Sequence, residues 1–129
     1  MEPRWLRLDV ALAIHERLIS EFGGDAGIRD LGLLESAIAR PKQIYSYENS
    51  DLSTLAAAYT AGIVRNHPFV DGNKRVGFLA SLIFLGLNKL SLTASEAMST
   101  QVVINLVTGE ITEQDFAQWL RENIKPVSH

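Results

Sequence analysis

The residues best suited to chemistry lie together, from Arg65 to Arg75: RNHPFVDGNKR. They put an imidazole, a carboxylate, a Gly-Asn turn and two cations into one loop that opens an apolar helix. Each part suits phosphate chemistry. A helix N-terminus presents unpaired N–H groups and the positive end of the peptide dipoles, so it attracts anions. Gly72 has no Cβ, which lets the backbone approach a phosphate closely and take unusual dihedrals. Asn73 is expected to cap the helix and donate to an oxygen. Lys74 and Arg75 add positive charge, and Arg65 is expected to complete a cationic cluster with them around the one carboxylate. A guanidinium can grip a phosphate through two parallel hydrogen bonds. Asp71 offers a hard oxygen ligand to Mg²⁺, an ion that itself bridges phosphate oxygens. His67 can take a proton from an attacking hydroxyl near neutral pH. Singly, a His-Pro is commonly a turn and a Lys-Arg pair a solvated face. With residue frequencies of a few per cent each, the whole set at these offsets has a chance on the order of one in a million.

Such a loop needs a scaffold, and composition bounds it. The chain has 129 residues, enough to bury a core, and reads as one domain over 1–129. At 47% hydrophobic and 21% charged it belongs with globular rather than disordered chains. Its 12 Lys plus Arg against 15 Asp plus Glu give a net charge of −3, which argues against direct nucleic-acid binding. The absence of cysteine excludes a disulfide framework, thiol catalysis and Cys-ligated zinc. Met1 to Arg7 carries no apolar run of signal-peptide type, and the longest apolar stretch, Val76 to Leu87, is too short for a bilayer. The expectation is a cytoplasmic protein with no membrane partner.

The periodicity predicts an all-α bundle of about six helices around a buried central helix. Leu8, Ala11, Leu12, Leu18, Ile19 and Phe22 share one face of a first helix, stopped by Gly23-Gly24, with His15 near the apolar side in a structural role. Asp30 is expected to cap a second helix that Pro41 ends, and Asp51 a third that stops before Pro68. The segment from 76 to 90 is apolar on nearly every face and is expected inside the bundle. Thr93 with Glu96 has capping-box spacing for a fifth helix closed by Gly109, and Thr112 with Asp115 for a sixth that ends near Pro126. No strand is expected. Lys42 to Ser50 (KQIYSYENS) reads as a loop.

His67 to Arg75, HPFVDGNKR, resembles the signature of the Fic superfamily, His-x-Phe-x-Asp/Glu-Gly-Asn-x-Arg. FGGDAGIRDLGLLESAIARP (Phe22 to Pro41) and the TGEIT turn (Thr108 to Thr112) before a WLRENI helix resemble its small branch, the death-on-curing (Doc) toxins. Lys74 stands where most adenylylating relatives carry Gly and points to the same branch. The resemblance covers essentially the whole chain and implies a Fic/Doc-like bundle.

It further implies transfer from ATP, with Mg²⁺, to a protein hydroxyl: His67 as general base, Asp71 as metal ligand, and Gly72, Asn73, Lys74 and Arg75 around the phosphates. Phe69 would anchor the loop in the core. For the Doc branch, the γ-phosphoryl group would pass to a threonine of elongation factor Tu, arresting translation. Lys74 would disfavour the pose that presents the α-phosphate. The loop at 42–50 falls where relatives carry a flap that aligns the target. Many relatives are restrained by a helix of pattern Ser/Thr-x-x-x-Glu-Gly/Asn. Here Glu48-Asn49 and Glu122-Asn123 are preceded at that offset by Ile44 and Gln118, so neither matches. The restraint is therefore expected from a second chain, a Phd-like antitoxin of a type II toxin–antitoxin system. Two other readings compete: a Fic-type AMP transferase with the same residues, and a non-catalytic antitoxin-binding module. A nuclease fits worse, for want of a carboxylate cluster.

Overall fold

The computed structural model describes residues 2–127. The chain runs α1 (Leu8–Phe22), α2 (Leu31–Glu48), α3 (Leu52–Asn66), α4 (Asn73–Leu87), β1 (Leu90–Leu92), α5 (Glu96–Thr108), α6 (Glu113–Glu122) and β2 (Ile124–Pro126). The expected all-α bundle is found, with one small addition: β1 and β2 pair antiparallel, Ser91 opposite Lys125. Three-residue strands are too short for alternation to reveal them in a sequence.

The helix at the centre is α3 rather than α4. Every residue from Leu55 to Ile63 is buried, whereas α4 leaves Leu87 exposed and Phe78 and Leu79 half-buried. Hydropathy favours the helix with the larger side chains, but small ones let neighbours close in from all sides. A Cβ added to Gly62 would stand 3.3 Å from the Ala37 Cβ of α2. One on Gly77 of α4 would stand 3.1 Å from Val64, at the crossing where Thr60 donates to the Gly77 carbonyl over 2.7 Å. Both helices therefore pack almost backbone to backbone on α3.

The caps explain where the helices begin. Asp30 and Asp51 accept from Leu33 and Thr54 N–H as expected, and Thr112 with Asp115 forms a full capping box. The fifth helix differs: Ser95 is its cap, accepting from Met98 N–H, and Thr93 instead bonds the Asn123 carbonyl beside the β1–β2 pair.

The largest departure is at Pro41. It does not end α2 but lies inside it, fully buried, and Lys42 to Glu48 are helical. An internal proline removes one helix hydrogen bond and costs about 3 kcal/mol. Here the second half of α2 is held by packing: Ile44 and Tyr45 sit against the core, and Trp5 meets Tyr45 edge-on at 5.7 Å. The helix ends at Asn49, whose left-handed backbone (φ 50°) donates to the Tyr45 carbonyl. Among the described residues, no helix is long and apolar enough to cross a membrane.

Candidate active site

The sequence-predicted loop joins α3, the most buried helix, to α4. Its first residue, His67, follows the last turn of α3 with φ 50° and ψ 54°, and its N–H caps the helix on the Ile63 carbonyl over 3.0 Å. That left-handed conformation costs a residue with a Cβ roughly 1–2 kcal/mol, so the surroundings must impose it. The His67 imidazole is exposed and has no hydrogen bond or ion pair among the described residues.

Phe69 is the anchor expected of it: it is fully buried and its ring stacks on His15 at 3.9 Å. Asn73 is the buried first residue of α4, and Gly72 holds the capping position instead. The Asn73 amide closes the loop from inside, with Oδ1 accepting from Phe69 N–H at 3.0 Å and Nδ2 donating to the Phe69 carbonyl at 2.9 Å. What it presents toward a ligand is therefore its backbone N–H. Gly72, at φ 89°, offers no side-chain cap, and the first N–H to enter the helix ladder is that of Val76. The N–H groups of Asn73, Lys74 and Arg75 thus point out of an uncapped helix start, an anion cradle by geometry and dipole.

Asp71 is held at both ends. Its carbonyl accepts from His15 Nε2 at 2.9 Å, which fixes the proton of that buried imidazole on Nε2. Its carboxylate Oδ2 accepts from Asp25 N–H at 2.7 Å, leaving Oδ1 for another partner. A single carboxylate beside an anion cradle fits Mg²⁺ carried in on phosphates, since Mg²⁺ binds through one or two carboxylates plus phosphate oxygens. No group of three metal-ligating side chains occurs among the described residues, so a site made wholly by protein is not built here.

The cations separate. The Arg75 guanidinium lies 4.1 Å from the centre of the Phe22 ring, a cation–π contact that holds it over the end of α1. Phe22, read from the sequence as part of the apolar face of α1, is 60% exposed and serves as that platform. Lys74 is exposed at the first turn of α4. Arg65 does not join them: it points toward α6 and shares Glu113 with Arg40, at 2.9 and 3.0 Å. These residues help line an open groove of about 1050 Å³ between α2, α3 and α6 that contains none of residues 67–75.

The extended chain beside the motif is the α1–α2 connection, not residues 42–50. Ile28 forms an antiparallel bridge with Phe69, Gly27 accepts from Val70 N–H, and both Arg29 N–H and Asp30 N–H reach the Pro68 carbonyl. Asp25, Phe22 and Arg29 were not singled out from the sequence as site residues. Their contacts to the motif span 38 to 53 residues of chain, which no local spacing reports.

Comparison with known proteins agrees with this geometry. The profile of the Fic/DOC family matches residues 5–85. The chain is 33% identical over 111 residues to a protein named "Protein kinase doc" from Escherichia phage P1, covering 85% of this chain and 87% of that one. It is 43% identical over 75 residues to "Toxin Doc" from Mycolicibacterium smegmatis, covering 57% of this chain and 58% of that one. The chain belongs to the Fic/Doc family.

Proposed function

We propose that this protein is the toxin of a type II toxin–antitoxin pair that phosphorylates a hydroxyl of a protein target, a threonine of elongation factor Tu in the reading the resemblance favours. One observation carries the proposal. A free imidazole, a carboxylate with one open oxygen and an uncapped helix start converge on a single loop, which the buried Asn73 amide and the pairing with residues 27–30 hold in place. In this reading the His67 imidazole takes the proton of the target hydroxyl. The hydroxyl oxygen bonds the γ-phosphorus of ATP, the bond from that phosphorus to the β–γ bridging oxygen breaks, and ADP leaves. Gly72, Asn73, Lys74 and Arg75 hold the phosphates through backbone N–H groups and two cations, which supply most of the stabilisation in phosphoryl transfer. Mg²⁺, bound through Asp71 and the phosphates, would neutralise charge developing on the nucleotide.

Lys74 supports the choice of phosphorus: an ammonium on a four-carbon stem, free of protein partners among the described residues, suits a terminal phosphate. The restraint in this reading is a Phd-like antitoxin and the compartment is the cytoplasm.

The deciding experiment incubates the protein, Mg²⁺ and purified elongation factor with α- or γ-labelled ATP. Label from the γ position on the target supports the kinase. Label from the α position replaces it with an AMP transferase. No label from either, together with growth arrest that His67→Ala leaves intact, replaces it with a binding module.

A further inference from the structure

We propose that Arg29 is a positioning residue for His67, an inference that rests on reading His67 as the base. Helix α3 ends with carbonyls that have no partner in their own helix. Arg29 takes the next three oxygens of the chain in succession. Its Nη2 donates to the Asn66 carbonyl at 2.7 Å and its Nε to the His67 carbonyl at 2.6 Å. Its backbone N–H donates to the Pro68 carbonyl at 2.7 Å.

The middle oxygen belongs to the residue in the left-handed conformation. Glycine is the usual occupant of that position after a helix, because a Cβ crowds the following carbonyl. A histidine there must be held, and its imidazole makes no bond that could hold it. The direction of the His67 Cα–Cβ bond is then set by the peptide planes on either side. Arg29 fixes both, one through each arm of its planar fork. Lysine has the charge but not the fork, so it cannot span two oxygens with fixed geometry. Arg29 is exposed, and its side chain makes no other hydrogen bond or ion pair among the described residues. Its removal opens no cavity.

The test measures kcat and KM for ATP in the wild type, Arg29→Met, Arg29→Lys, His67→Ala and the Arg29→Met/His67→Ala double variant, with thermal melts to establish folding. Arg29→Met is expected to lower kcat about 10- to 100-fold, the scale of a displaced catalytic group, with KM for ATP within about twofold. Arg29→Lys should regain less than about threefold. The double variant should be no slower than His67→Ala alone, because a residue that acts through the base loses its effect without it. Unchanged kcat in Arg29→Met, full rescue by lysine, or multiplied losses in the double variant would each overturn the proposal. If the wild type transfers nothing, the functional reading falls, and Arg29 is then judged by NMR. Faster exchange of the His67 amide and shifted imidazole C–H signals in Arg29→Met support the positioning role, and unchanged signals overturn it.

Discussion

Replacing Asn73 separates a residue that holds the loop from one that only touches a ligand. Its amide is buried, accepting from the N–H of Phe69 and donating to its carbonyl at 3.0 and 2.9 Å. Asn73→Ala leaves a donor and an acceptor of Phe69 without partners, and each buried orphan costs about 1–3 kcal/mol. Partial relaxation brings the expected loss to about 2–4 kcal/mol. The loop cannot escape by opening locally, because the Phe69 ring is fully buried against His15 and would have to leave the core. The loss therefore falls on the whole domain and lowers Tm by roughly 10 °C. Asn73→Asp sharpens the test. One carboxylate oxygen still accepts from Phe69 N–H, but the other faces the Phe69 carbonyl, acceptor against acceptor. That contact raises the pKa of the introduced group, and protonation restores a donor. The deficit relative to wild type should therefore shrink as pH falls below about 5. Urea denaturation followed by tryptophan fluorescence, repeated across pH, reads all of this. Both variants within about 0.5 kcal/mol of wild type, with unchanged exchange of the Phe69 amide, would refute the reasoning.

Three further outcomes are expected. Gly62→Ala forces a methyl to within 3.3 Å of the Ala37 Cβ and should destabilise by about 1–2 kcal/mol, with Ala37→Gly in the same chain recovering part of it in denaturation curves. Tyr59→Phe strips the buried Leu6 N–H of its acceptor at 3.0 Å, a loss of about 1–3 kcal/mol in urea. Burial pushes the Tyr59 hydroxyl up to about 12 from 10.0, so wild-type stability should decline as pH rises from 10 toward 12, while the unfolded chain alone ionises, and the variant should lose that slope. The Arg121 guanidinium holds the Asp51 carboxyl down at about 2 from 3.8, so the pair stabilises above pH 4 and is lost as pH falls from about 4 to 2. With both side chains two-fifths or more exposed the contribution is about 1 kcal/mol or less, and an Arg121→Met acid titration identical to wild type would show that it is nil.

The parts of this protein that a sequence reveals are those encoded within a few residues. Asp30, Asp51 and Thr112 cap their helices as their spacing predicts, and Phe69 is buried as the anchor of the motif loop. Pro41 misled because its rule is local while the packing of Tyr45 against Trp5 is not. Arg65 looked like part of a cationic cluster because it is close in sequence to Lys74, yet the helix turns it toward Glu113. Asn73 read as a ligand donor because a buried amide and an exposed one have the same letter. The α1–α2 connection was visible as a resemblance but not as part of the site, since every bond it makes to the motif crosses a whole helix pair.

Those distant bonds have a consequence for how the family's chemistry can change. The motif loop is shaped by backbone pairing with residues 27–30, by the Asn73 amide and by His15, whereas the His67 and Lys74 side chains bear none of that load. In the proposed reading the base and the terminal-phosphate contact thus sit on side chains the fold does not use, while Asp71 and Asn73 serve both the loop and the ligand. If that reading holds, substitutions at His67 or Lys74 leave the architecture intact, so a lineage can redirect the proposed transfer, or lose it, without first passing through an unstable protein.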